Sequence, residues 1–160
     1  MTNDNKASML ANAKRLYCRF EGLTSHFQGL AALAARLVMA RMFLKSGILK
    51  VQDFGTAVDL FEYEYFEGIP HGLAVFAGAL STFGETVLPL MLIVGFMTRF
   101  ASAGLLVMTL VISTLVYPFW TGQGLSLWWN DHVWWTVILF ALMAYGPGNL
   151  SLDAILGKSR

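Results

Sequence analysis

The sequence holds one cysteine, Cys18, in 160 residues, which excludes an intramolecular disulfide, a CxxC redox pair and a cysteine-rich zinc site. Charge is scarce as well: 13% of residues are Asp, Glu, Lys or Arg, about half the ~25% of a soluble globular domain. An excess of one sign is also missing, since 11 Lys and Arg stand against 10 Asp and Glu. No nucleic-acid partner is therefore expected, because such partners are met by a concentrated basic field. Internal repeats and low-complexity segments are absent, and with them the inverted repeats of many transporters. What is abundant is apolar: 56% of residues are hydrophobic and the mean hydropathy is +0.58. So few charges cannot clothe a water-facing surface, and the composition implies one small polytopic membrane protein of the all-α class.

A helix needs roughly 20 mostly apolar residues to cross a bilayer core, and four segments meet or approach that length, giving an expected four-helix bundle. The second, His71 to about Phe96, has Glu85 as its only acid or base besides His71. The third, Phe100 to Phe119, is uncharged and ends at Tyr117-Pro118, where proline removes a backbone donor. The fourth runs from about Asp131 to Gly148 and stops at Gly146-Pro147-Gly148. The first, Leu30 to Val51, carries Arg36, Arg41, Lys45 and Lys50. An interfacial basic helix is the competing reading of that segment. At 100° per residue the four cations form no single polar face, and Arg36 and Lys50 sit near the ends, where long side chains reach the headgroups. A spanning helix is thus expected, with Arg41 and Lys45 turned into the bundle.

Residues 1–29 form an N-terminal segment with no signal-peptide pattern, in which Met9 to Phe20 reads either as an amphipathic surface helix or as a solvated tail. Residues 30–148 form the membrane domain and 149–160 a tail. Lys6, Lys14, Arg15 and Arg19 precede the first span, Arg99 lies between the second and third, and Lys158 and Arg160 lie in the tail. Gln52–Pro70 and Trp120–Asn130 have no Lys or Arg. The positive-inside rule then places both termini in the cytoplasm and both long connections outside an inner membrane.

Ionised groups in hydrocarbon cost at least ~2.5–3.5 kcal/mol and seek partners or water. Counting from the outer ends at 1.5 Å per residue, Glu85 lies roughly 21 Å deep, Arg41 roughly 15 Å, Arg36 roughly 22 Å and Lys45 roughly 9 Å. Arg41 or Arg36 is therefore the expected partner of Glu85. Lys45, Lys50, Glu62, Glu64, Asp131 and His132 fall in an outer layer, where any functional pocket is expected to open. Two readings of Glu85 stand together: an ion pair that fixes packing, or a carboxylate that takes up protons or contacts a quinone or solute. Asp131 at the start of the fourth span reads equally as a partner of the helix dipole or as part of a site. No HxxH-type spacing supports a metal site. The alternation in Phe61-Glu62-Tyr63-Glu64-Tyr65-Phe66 reads as an extended, half-buried lid, and the five tryptophans as an interfacial girdle.

Arg36-Leu37, then Phe43-Leu44-Lys45-Ser46-Gly47-Ile48-Leu49-Lys50 and Asp53-Phe54, resemble the first-span signature of DoxX-type membrane proteins. Glu85, the Gly95-Phe96-Met97-Thr98-Arg99 turn and Gly146-Pro147-Gly148 before Leu150-Ser151-Leu152-Asp153 extend the resemblance over about residues 33–156. The FEYEY segment, Val116-Tyr117-Pro118 and Asp131-His132 are similar to a subgroup encoded beside pathways for modified, metal-binding peptides. The resemblance implies a four-helix inner-membrane bundle. It also implies a link to redox complexes, the family name deriving from a relation to a thiosulfate:quinone oxidoreductase subunit. Arg41 departs from the pattern, that position being usually uncharged.

Three functional readings follow. The first is a redox-linked subunit that exchanges electrons with quinone while protein partners contribute the missing centre. The second is a non-enzymatic membrane component that handles a peptide or metal in a biosynthetic or stress pathway. The third is a solute or proton route around Arg41, Lys45 and Glu85, enclosed by a homo-oligomer. Arg36, Lys50, Glu62, Glu64, Asp131 and His132 complete the candidate polar residues.

Overall fold

The computed structural model describes residues 3–25, 27–66 and 68–157, which are helical with short connections and contain no strand. Glu67, Lys158 and Arg160 lie outside the described residues. Helix α1 (Asn3–Ser25) covers the stretch read as a surface helix or a tail. Its exposed Met9, Leu16 and Phe20 fall within about 40° of one another around the helix axis, with Lys14 and Arg15 on the other side.

Helix α2 (Gln28–Gln52) gives way at Asp53 to α3 (Phe54–Asp59), which continues as a π-helical stretch, Leu60–Tyr65. Asp53 starts α3 by accepting the Thr56 backbone N–H at 3.0 Å and its hydroxyl at 2.8 Å, a side-chain cap on an orphan amide. Helix α4 (His71–Val94) and α5 (Thr98–Val111) follow, the latter prolonged by a π-turn, Ile112–Val116. Then come α6 (Gly122–Leu127), a further π-turn at Trp128–His132, α7 (Val133–Tyr145) and the short α8 (Leu152–Ile155). His71–Val94 and Thr98–Val116 are long and apolar enough to cross a membrane.

Helices α2 and α5 each pack against both α4 and α7, which closes a ring of four. Met39, Phe43, Leu88, Leu92, Leu105 and Leu139 fill its centre. Large apolar residues cover the outside too: Phe76, Phe83, Val107 and Phe140 are each more than half exposed. Apolar groups on both faces of a helix are the mark of a lipid solvent.

Three close approaches fix the register of α2 and α3 against α4. A Cβ on Gly47 would stand 2.5 Å from the Glu85 carbonyl oxygen, one on Gly78 3.6 Å from the Ala57 oxygen, and one on Gly95 2.0 Å from Arg36 Nη1. The upper turns of α4 therefore lie beside α3, and only its lower two thirds beside α2. This corrects the expected register, which set Val51 level with His71 and treated Gln52–Pro70 as a loop. Residues 61–65 of the FEYEYF segment are π-helical, not extended, and Phe66 ends the helix; Phe61 and Tyr65 stack edge to face at 5.2 Å as an i, i+4 pair, which favours the helical form. The fourth helical rod also differs from expectation. It begins at Gly122, where Thr121 accepts the Gly124 N–H at 3.1 Å, so Asp131 lies inside a continuous helix and caps nothing.

One end of the ring is locked by polar groups. Arg36, fully buried, donates to the Leu92 carbonyl at 3.2 Å and to the Leu150 carbonyl. Asp153 accepts the Met97 and Thr98 amides, both at 2.9 Å, and its own N–H reaches the Gly95 carbonyl at 2.9 Å. The reversal between α4 and α5 needs Gly95 at φ 68°, a region where a side chain is disfavoured and where a Cβ would strike the Arg36 guanidinium.

Candidate functional site

A cavity of about 600 Å³ opens between α2, the first π-helical stretch, α4 and α5. Most of its wall is apolar, from Phe61, Phe66, Leu88, Val107 and Met108 among others. The polar part is a compact set contributed by two elements, α2 and α4. Lys50 Nζ lies 2.6 Å from Glu85 Oε1 and donates to Ser81 Oγ at 2.8 Å, while the Ser81 hydroxyl donates to the same Glu85 oxygen at 3.1 Å. Both charged side chains are shielded, Lys50 being 11% and Glu85 5% exposed.

The local sequence explains the cluster. Ser81 and Glu85 are one turn apart on α4 and share a face. Gly47 lets α2 approach the α4 backbone at Glu85, and Lys50, three residues on, reaches across. Glu85 Oε2 is buried and has no hydrogen-bond partner among the described residues. A carboxylate has about four acceptor sites, and an unfilled one beside a cavity is a place for a ligand donor.

Aromatic hydroxyls stand at the outer rim. Tyr65 and Tyr117 both line the cavity, with ring centroids 6.1 Å apart, and the Tyr117 hydroxyl donates to Glu64 Oε1 at 3.3 Å. Glu64 thus steers Tyr117 from outside the wall. Glu62 meets His71 Nδ1 at 2.6 Å, which ties the π-helical stretch to the start of α4. That hydrogen bond holds the Glu62 carboxyl below its usual range.

Of the expected site residues the structure brings Lys50 and Glu85 together with Phe61, Tyr65 and Phe66. It does not bring in the rest. Glu85 pairs with Lys50 and not with Arg41 or Arg36, because Lys50 lies well down the flank of α4 once α3 occupies the upper turns. Arg36 is consumed by the Leu92 and Leu150 carbonyls. Arg41 and Lys45 are exposed on the outer surface of α2, contrary to the expectation that they face the bundle. Asp131 is exposed, and His132 is buried against Trp135 with ring centroids 5.0 Å apart, its Nδ1 3.2 Å from the Leu127 carbonyl. His132 therefore packs α7 and does not line the cavity. Ser46 and Ser81, which do, were missed. Ser81 was findable, as the hydroxyl one helical turn before the only acid of α4.

The family model described as DoxX matches residues 31–118. A protein of Haemophilus influenzae described only as uncharacterized is 29% identical over 147 residues, covering 88% of this chain and 91% of its own length. No solved structure matches.

Proposed function

The chain belongs to the DoxX family of membrane proteins, and on that premise we propose that it holds a lipophilic quinone in the cavity of Lys50, Ser81 and Glu85 as a redox-linked subunit of a larger inner-membrane assembly. The observation that carries this reading is the shielded Lys50–Ser81–Glu85 cluster on the wall of an otherwise apolar cavity. Its volume lies within the roughly 300–1,000 Å³ of small-ligand sites, which pair an apolar body with a few convergent polar groups. A quinone has the matching form, two carbonyl oxygens on a flat ring with an apolar tail, and when bound it supplies two-electron, two-proton carrier chemistry. Lys50 is the donor suited to a ring oxygen, the Tyr65 and Tyr117 rings suit the flat face, and Glu85 Oε2 suits a hydroxyl donor. The chain has one thiol, Cys18, which does not line the cavity, and in this reading a partner subunit supplies the electrons.

The proposed topology has four spans, formed by α2, α4, α5 and the α6–α7 rod, with both termini cytoplasmic. The start of α2, the α4–α5 turn with Arg99, and the segment leading to α8 meet at one end of the ring through Arg36, Gly95 and Asp153. That convergence supports placing the basic segments on one side. The N-terminal residues 1–29 then lie at the cytoplasmic surface, with the apolar face of α1 on the membrane.

Titration of purified protein with a short-chain quinone, followed by quenching of intrinsic fluorescence, tests the proposal. Saturable binding is expected, weakened about tenfold or more by Lys50→Met, the scale of one lost hydrogen bond to a charged group. Equal quenching of both proteins, or a non-saturating response, would contradict it.

A further inference from the structure

Arg41 and Lys45 stand one turn apart on the outer face of α2, in a surface groove of about 430 Å³ formed with Leu37, Leu44, Ile48 and Ile93. The groove lies on the opposite flank of α2 from Lys50, and none of its residues lines the quinone cavity. Leu37, Ile48 and Ile93 are 44%, 49% and 38% exposed, so the surroundings of both cations are apolar and open to lipid. Neither cation makes an ion pair or a hydrogen bond among the described residues. An uncompensated cation at such a surface is expensive, and two within one turn require a counter-anion.

Among the described residues no acid pairs with either. Glu85, the carboxylate of α4, is committed to Lys50, and α7 has no acid. Asp153 is engaged with the α4–α5 turn. A second copy of this chain in the same orientation has the same inventory at that depth, its exposed Asp59, Glu64 and Asp131 lying toward the opposite end and its exposed Glu21 lying in α1, before α2 begins. The lipid headgroups on that side are the nearest plentiful source of anion. Arg41 and Lys45 are five and nine residues from Arg36, about 7.5 Å and about 13.5 Å along the helix, and Arg36 marks the level of the Gly95 turn. The Arg41 guanidinium and the Lys45 ammonium can therefore extend toward the headgroups on that side. We propose that this groove is a binding site for an anionic phospholipid, its phosphate between Arg41 and Lys45 and an acyl chain along Leu37, Leu44, Ile48 and Ile93. The inference rests on the chain spanning the membrane, and not on the quinone reading.

The test compares delipidated full-length protein with an Arg41→Gln/Lys45→Gln variant in neutral detergent, adding phosphatidylglycerol or phosphatidylcholine and following bound lipid by native mass spectrometry. Both substitutions are at exposed positions, so an unchanged helical circular dichroism spectrum and melting midpoint report that the variant is folded. Phosphatidylglycerol is expected to bind the parent protein in preference to phosphatidylcholine. The variant should bind it on the order of thirtyfold more weakly, the scale of about 1 kcal/mol per basic residue at an anionic surface. Glycerol phosphate without acyl chains should not compete. Equal binding of the two lipids, an unchanged preference in the variant, or full competition by glycerol phosphate would each overturn the proposal. Dimers abolished by the variant with no lipid preference would overturn it in favour of a protein interface.

Discussion

At the scale of single residues, Lys50 and Glu85 dominate because each leaves the other stranded when removed. Breaking a shielded pair on one side costs about 3–5 kcal/mol, whereas replacing both members with apolar groups of similar size is often neutral. Glu85→Gln should therefore lower the thermal unfolding midpoint in detergent sharply, and Lys50→Met combined with Glu85→Leu should recover most of the loss. A double variant as unstable as the single one would mean that the pair contributes more than neutralisation. The burial of Glu85 was legible because it is the lone acid of an apolar helix. Its partner was not, since four cations of α2 competed for it and depth alone chose among them. Asp153 is a second case. It satisfies the first amides of α5, and Asp153→Ala should destabilise by about 1–2 kcal/mol, in the range of a lost helix cap, read from the same melting curves.

At the scale of elements, the helices legible from hydropathy were those whose surroundings are uniformly apolar, α4 and α5. Polar or aromatic composition misled elsewhere. Asp53 looks like the end of a span, yet it caps the next helix, and this single residue hides the continuation of the rod into α3. The alternation of acids and aromatics through residues 61–66 mimics a strand because Phe61 and Tyr65 face the cavity while Glu62 and Glu64 bond His71 and Tyr117. A π-helical stretch satisfies all four, and sequence period carries no sign of it. Two of the π-helical stretches help wall the cavity, in keeping with the frequency of such turns at functional sites. The contact between α2 and α4 depends on Gly47. Gly47→Ala must push the helices apart, and a loss of about 1–3 kcal/mol is expected, as for other overpacked cores. Quinone binding should weaken with it, because Lys50 would be drawn away from Glu85. Unchanged melting and binding would show that the close approach is dispensable.

At the scale of the whole molecule, the ring of four helices has one polar, locked end and one aromatic end, and the cavity opens on the flank between them. The proposed topology rests on the side on which the basic segments lie. A Gln123→Cys change in a Cys18→Ser background should react with an impermeant thiol reagent in intact cells, whereas native Cys18 should react only after permeabilisation. The reverse pattern would invert the topology. The site itself was half legible: Lys50, Glu85 and the aromatic segment could be named from the sequence. Their union could not, because it depends on a register that only the packing of α3 against α4 sets. The central claim is that the cavity holds a quinone, and the most direct measurement is the quinone content of gently solubilised protein, determined by mass spectrometry of its extracted lipids. The parent protein should carry near one quinone per chain, and Ala77→Phe, which fills the cavity from α4, should carry little while remaining folded. Equal quinone in the two proteins, or none in the parent purified from quinone-rich membranes, would contradict the account.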